Sequence, residues 1–311
     1  MTEIHDHEVD TSEPVLRALL DEQCPAWADA PAHLLHTTGT SNTLWRLATP
    51  ASEPDVIVRL PRQIGGDRSI SAELRLLPAL ADTSMLEHLE LPSVLHAGRP
   101  SDAYPMAWMA AAWLDGRDLW STRDAAATDG RLAHDIAAAV RAIRTIEGMP
   151  VDRRRDADRG GAMPGLLDRL AGWLDDPAWA ADRLVDRAAI RRRIDEAAEV
   201  ATEPVAPRFV HGDLIPGNLL VDRSDRLRAI IDWGGAALAD PAQDLAPAWS
   251  IFDAPARTVF RDALEVDDAA WIRGRTIELE HAVGGVLYYV PRRHPLGDVM
   301  ATTLDRILAD R

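Results

Sequence analysis

Residues Phe209–Val221 read FVHGDLIPGNLLV, and no other stretch constrains the fold as tightly. Apolar runs flank a loop that holds His211, Gly212, Asp213, Pro216, Gly217 and Asn218. A second apolar run, RAIIDWGG, ends on Asp232, with Asp222–Arg226 as the turn between. A hairpin of that length returns the chain beside its start, so Asp232 is expected to face Asn218. A turn that only reversed the chain would need glycine or asparagine. It would not need a histidine, two carboxylates and a carboxamide at these spacings.

The texture of the chain divides it in two. Up to about residue 115 the pattern is mostly strands: HLLHTTGTSNTLWRLAT with a turn at Gly39–Asn42, then DVIVRLP, LPSVLHAG and YPMAWMAAAWLDG. Ser12-Glu13-Pro14 reads as a helix start. DRSISAELRLLPAL places Ile70, Leu74 and Leu77 on one helical face, with Glu73 beside them. After Gly116 the pattern turns helical, as in AAATDGRLAHDIAAAVRAIRTIEG with Leu132, Ile136, Val140 and Ile143 in register. Val151–Gly165 reads as a long charged loop, and Pro255 and Pro291–Pro295 interrupt the C-terminal helices. The expectation is an α+β chain with a small antiparallel lobe, residues 1–115, joined near Leu114–Asp118 to a larger helical lobe, residues 116–311. Residues 1–11 are polar and terminal, so HDHE at His5–Glu8 is expected to be disordered rather than a metal site.

The 311 residues suffice for two packed lobes, and a net charge of −16 argues against a duplex nucleic-acid binder, which needs a basic face. All basic side chains other than histidine are arginine, a compositional bias. Cys24 is the only cysteine, so no intrachain disulfide forms. There is no leader-like apolar core and no membrane-length apolar run, and the cytoplasm is the expected compartment.

Phosphoryl transfer asks for a group that orients an acceptor hydroxyl and for oxygen ligands to magnesium. Asp213, Asn218 and Asp232 are candidates for both. HGDLIPGN with IDWG resembles the kinase signature set, and the His-Gly-Asp spelling together with DPAQDLA at Asp240–Ala246 resembles the aminoglycoside phosphotransferase family. The resemblance runs over about Ala32–Leu287 and is most specific from His211 to Leu245. It implies a protein-kinase-like bilobal fold and a kinase that moves the γ-phosphate of ATP or GTP to a small-molecule hydroxyl.

On that resemblance Asp213 accepts the hydroxyl proton, and Asn218 and Asp232 hold Mg2+. Arg59 in VIVRLP stands where kinases carry a strand lysine, with Glu73 as its partner, and arginine there is familiar in this family and in choline kinases. Gly39, Thr40, Ser41 and Asn42 form a reduced nucleotide loop. Ala111 and Trp113 lie in the hinge that lines the purine pocket. His211, Asp240 and Asp244 are read as structural braces.

The acceptor site is expected on the helices after the catalytic loop, where Trp249, Asp253, Trp271 and Glu278 stand out, with Asp267, Asp268, Glu280, Tyr288 and Tyr289 nearby. An acidic, aromatic-edged cleft suits a cationic acceptor. An aminoglycoside is therefore the first expectation, ahead of a macrolide, choline or a homoserine-like metabolite. The Arg153–Gly161 loop is expected as a lip over the acceptor. A nucleotide-binding pseudokinase and a metal-dependent hydrolase built on His211, Asp213 and Asp232 are the competing classes. The oligomeric expectation is a monomer or homodimer.

Overall fold

A computed structural model describes residues 5–37, 39–83, 88–179 and 181–310. The N-terminal lobe is a sheet of β1 (Ala32–Leu35), β2 (Asn42–Leu47), β3 (Val56–Pro61), β4 (Val94–Gly98) and β5 (Trp108–Ala112). Its order is β1-β2-β3-β5-β4, with every neighbouring pair antiparallel. Period-2 alternation sorts its side chains. Trp45, Val58 and Ala110 lie opposite one another on one face, and Leu44, Arg59 and Met109 on the other.

The first face is buried under α1 (Glu13–Gln23), which contributes Leu16, Leu19 and Leu20. Burying such leucines stabilises the lobe by roughly 1.5–3 kcal/mol each. The second face meets α2 (Asp67–Ala81) and opens onto the cleft between the lobes. Ser12 precedes α1 but its side chain does not cap; Asp10 Oδ1 accepts the Ser12 N–H at 2.8 Å.

Residues 5–11 are not a disordered tail, contrary to expectation. Val9 N–H donates to the Arg62 carbonyl at 2.8 Å, and the buried Thr11 hydroxyl meets that of Thr43 at 2.7 Å. Polar residues became ordered because β2 and the end of β3 supplied partners. Residues 1–4 lie outside the described residues.

β6 (Arg117–Asp118) leads into the C-terminal lobe, with α3 (Arg123–Ala127), α4 (Gly130–Thr145), α5 (Met163–Asp175), α6 (Ala181–Leu184) and α7 (Arg187–Ala198). Next come β7 (Arg208–Val210), β8 (Leu219–Val221), β9 (Leu227–Ile230) and β10 (Ala237–Ala239). Last are α8 (Pro247–Ser250), α9 (Ala254–Leu264), α10 (Asp268–Tyr289) and α11 (Leu296–Ala309). The stretch expected as one helix before Gly148 is two. Asp129 breaks it and caps α4, accepting the Arg131 N–H at 2.8 Å. Leu132, Ile136, Val140 and Ile143 are buried as their spacing predicts. Pro255 does not interrupt a helix; it sits in the first turn of α9, behind the capping carboxylate of Asp253.

The charged loop before α5 is a strap docked along β10. Leu238 N–H donates to the Asp152 carbonyl at 3.0 Å and Arg154 N–H to the Leu238 carbonyl at 2.9 Å. The larger core crosses between the lobes: Ile70, Leu77 and Met109 join Leu219, Ile230 and Trp233. No helix among the described residues is long and apolar enough to cross a membrane.

Candidate active site

β7 delivers the chain into the loop that carries Asp213. Gly212 adopts φ +81°, and a Cβ there would lie 2.5 Å from the Gly235 carbonyl oxygen, so only glycine lets the two turns approach. The fully buried Asp244 carboxylate takes the His211 and Gly212 amides, both at 2.8 Å. Burial pushes the Asp244 carboxyl up, against the pull of His211 and these amides. His211 Nδ1 accepts the Asp213 N–H at 3.2 Å, which leaves Nε2–H to donate to the Ile231 carbonyl at 3.1 Å. His211 thus ties the Asp213 loop to the end of β9, and its ring also meets Trp233 edge-on. Asp240 caps the next turn through Ala242 and pairs with Arg273. These three are braces.

Asn218 Nδ2 donates to the Asp213 carbonyl at 2.8 Å and to Asp213 Oδ2 at 3.0 Å. Its amide protons are spent on Asp213, and the carboxamide oxygen is the atom left for a cation. β8 and β9 form the expected hairpin, with Leu219 opposite Ile230 and the Ile231 N–H on the Asn218 carbonyl at 3.0 Å. Asp232 follows in a left-handed conformation, φ 62°.

Arg59 reaches it from the other lobe. Nη2 donates to Asp232 Oδ1 at 2.8 Å, and Nη1 to Glu73 Oε2 at 2.5 Å. Glu73 Oε1 accepts the Trp233 N–H at 3.3 Å. Burial works against the Arg59 charge, but Asp232 and Glu73 outweigh it and hold the guanidinium protonated. Glu73 is fully buried, and burial pushes its carboxyl up while Arg59 pulls it down.

The donor set fits magnesium. That ion binds through one or two carboxylates or amides, completed by phosphate oxygens and water. Asp232 is partly exposed, the β8–β9 hairpin brings it back toward Asn218, and no cluster of three or more His, Cys, Asp or Glu stands among the described residues to offer a full protein cage.

A family model described as the phosphotransferase enzyme family matches residues 34–278. The chain belongs to that family. A structure of APH(2″)-IIIa with GDP and kanamycin superposes with a TM-score of 0.71 at 18% identity, over 94% of this chain and 96% of that one. The macrolide 2′-phosphotransferase MphH from Brachybacterium faecium gives a TM-score of 0.61 at 18% identity, over 93% and 98%. These likenesses establish the protein-kinase-like fold. The uncharacterized protein YcbJ of Bacillus subtilis strain 168 is 42% identical over 92 residues, which are 30% of this chain and 22% of that protein.

A cleft between the lobes is lined by Ser41, Asn42, Ser69, Gly234 and Gly235 around Asp213 and Asp232, with Arg154, Arg159 and Gln243 on the strap side. Of the reduced nucleotide loop, Ser41 and Asn42 face the cleft. Thr40 turns to α10, its hydroxyl 3.2 Å from that of Tyr289, and its carbonyl lies 3.2 Å from His5 Nε2. Gly39 is exposed beside the Thr37 hydroxyl. In the hinge, Ala111 is an interior residue of β5 between Ile57 and Val94, on the same face as Arg59. Trp113 gives its N–H to the Asp55 carbonyl at 2.7 Å, and its ring lies under Arg46. That amide is spent on the sheet and is not free to bond a purine edge.

Three of the four acceptor expectations fail. Trp249 and Trp271 pack with ring centres 4.7 Å apart and planes tilted by 49° inside the helical core, and both indoles donate to Asp310 Oδ2. Asp253 caps α9 through Ala256. Asp267 caps α10, and Asp268 pairs with Arg261. Acidic and aromatic residues follow the helix pattern whether they line a cleft or brace a core, and packing decided for the core. Glu278 is different. It is buried beside His281, near Arg159, with Oε1 lacking a donor.

Arg154, Arg159 and Gln243 escaped sequence reasoning. The Arg153–Gly161 loop was expected as a lip and Gln243 stood within DPAQDLA, but nothing in either run singled out these three side chains as neighbours of Asp213.

Proposed function

We propose that this phosphotransferase moves the γ-phosphoryl group of ATP or GTP to a hydroxyl of a small molecule. The observation that carries the proposal is the Arg59 bridge between Glu73 and Asp232, set beside Asn218 and Asp213. A strand cation, its helix carboxylate, a metal-binding pair and an acceptor-orienting carboxylate converge on one cleft. In the proposed reaction the acceptor oxygen attacks the γ-phosphorus and its proton passes to the Asp213 carboxylate. The bond to the β–γ bridging oxygen breaks, and its electron pair leaves on the nucleoside diphosphate. Asp213 needs little basicity, because the transition state is loose and positioning dominates. Magnesium at Asn218 and Asp232 would supply charge neutralisation at the phosphates.

An aminoglycoside is the acceptor we put first. Its support is narrower than the sequence promised: the kanamycin in the APH(2″)-IIIa structure, and Glu278 with its unpaired carboxylate oxygen. The test is a panel of aminoglycosides, macrolides and small alcohols incubated with labelled ATP or GTP and scored for transferred phosphate. Asp213→Ala is expected to abolish transfer and leave nucleotide affinity within about threefold, since the side chain faces the acceptor. Clear nucleotide binding with no transfer to any acceptor would instead indicate a binding module.

A further inference from the structure

The catalytic loop HGDLIPGN contains no lysine or arginine, and Arg59 is committed to Glu73 and Asp232. Positive charge reaches Asp213 from the strap instead. Arg159 Nη2 donates to Asp213 Oδ1 and, at 3.0 Å, to the Gly212 carbonyl. Its Nε and Nη1 have no partner among the described residues. The strap is shaped to hold it there. Gln243 Nε2 donates to the Gly212 carbonyl at 2.9 Å and reaches the Arg159 carbonyl at 3.5 Å. Gly160 has φ +74°, and a Cβ there would lie 2.4 Å from Gln243 Oε1, so a side chain at 160 would push the strap off its anchor.

We propose that Arg159 is a catalytic residue whose free Nε–H and Nη1–H groups take the equatorial oxygens of the phosphoryl group in flight. Nη2 stays on the Gly212 carbonyl. The location supports this. The attacking oxygen must sit on Asp213, and Arg159 sits on that same carboxylate, so its free donors lie beside the phosphorus the oxygen attacks. Charge in the loose transition state spreads over the equatorial oxygens, where a fixed guanidinium stabilises it. The inference rests on the kinase assignment, and bonds are made and broken as described there.

The test needs no known acceptor. Water replaces the hydroxyl, and magnesium, nucleoside diphosphate and aluminium fluoride imitate the phosphoryl group in flight. Wild-type protein is expected to bind ADP or GDP at least about tenfold more tightly when fluoride is added. Arg159→Ala should lose that tightening, keep plain magnesium–diphosphate affinity within about twofold, and lower γ-phosphate hydrolysis by about a hundredfold or more. Arg159→Lys should recover part of both, because it keeps the charge and loses the fork. If Arg159→Ala does not fold, Arg159→Gln carries the same comparison.

Tightening and hydrolysis within threefold of wild type would make the ion pair merely structural and overturn the proposal. Faster hydrolysis in the variant would overturn it too, by making Arg159 a block on Asp213. A wild-type protein that neither hydrolyses nucleotide nor tightens on fluoride would count against the kinase assignment itself, and the role of Arg159 would fall with it.

Discussion

Arg59 and Asp232 lie 173 positions apart in sequence, yet Nη2 donates to Oδ1 at 2.8 Å. This pair joins the two lobes at the cleft, and Glu73 completes it from α2. The guanidinium fork serves both carboxylates at once, which a single ammonium point charge does less well.

Arg59→Ala should therefore weaken nucleotide binding by about ten- to a hundredfold. It should also destabilise the fold by roughly 3–5 kcal/mol, because Glu73 is left buried without its cation. Adding Glu73→Gln should restore much of that stability and none of the affinity. Urea titrations of the single and double variants measure the coupling, and additive losses would contradict it.

Asp232 and Asp213 should separate in nucleotide titrations run with and without magnesium. Asp232→Ala is expected to lose most of the metal-dependent gain in affinity, and Asp213→Ala to keep it. Equal behaviour of the two variants would remove the division of labour between them.

The pH profile should report on Asp213. Burial pushes its carboxyl up, but the Arg159 guanidinium from the strap, with His281 on α10, outweighs burial and holds it below the ordinary aspartate range. Arg154 and the Asn218 amide stand on the same side. The acid limb of turnover due to this group should thus fall below the ordinary aspartate range. In Arg159→Ala burial gains the upper hand and the limb should move upward. A wild-type limb above pH 6 would be incompatible with this charge balance.

Asp310 anchors the C-terminal helix. Its carboxylate takes both indole N–H groups of Trp249 and Trp271 and faces Arg257 and Arg275 at 3.5 and 3.6 Å. Asp310→Ala should cost roughly 2–3 kcal/mol, through two lost charge-assisted bonds and under-compensated cations. Nucleotide affinity should not change, since none of these groups lines the cleft. Chemical denaturation beside a binding titration tests both parts.

Cys24 is buried under the sheet, and burial pushes its thiol up to about 11. At pH 8 the thiolate fraction is roughly a thousandth, so a thiol reagent should react only as denaturant opens the lobe. Rapid labelling of native protein at that pH would refute the burial argument.

Asp213, Asn218 and Asp232 were legible in the sequence because their geometry is short-range. Two share one loop, and a single hairpin returns the third. Arg59 and Glu73 were legible for a similar reason, as a strand and the helix that follows it. The N-terminal segment and the acceptor side were not. An ordered Thr11, a capping Asp253 and core-bound Trp249 and Trp271 look, in sequence, like a tail and a cleft rim. Which face of a helix meets solvent is settled by elements far along the chain, here by Asp310 at the end of α11 closing on the two indoles. Arg159 is the same case in reverse. It is one arginine among several in a charged loop until pairing with β10 and the anchor at Gln243 set it on Asp213. The local sequence determined how Asp213, Asn218 and Asp232 are brought together, and long-range packing alone decided which charges surround them.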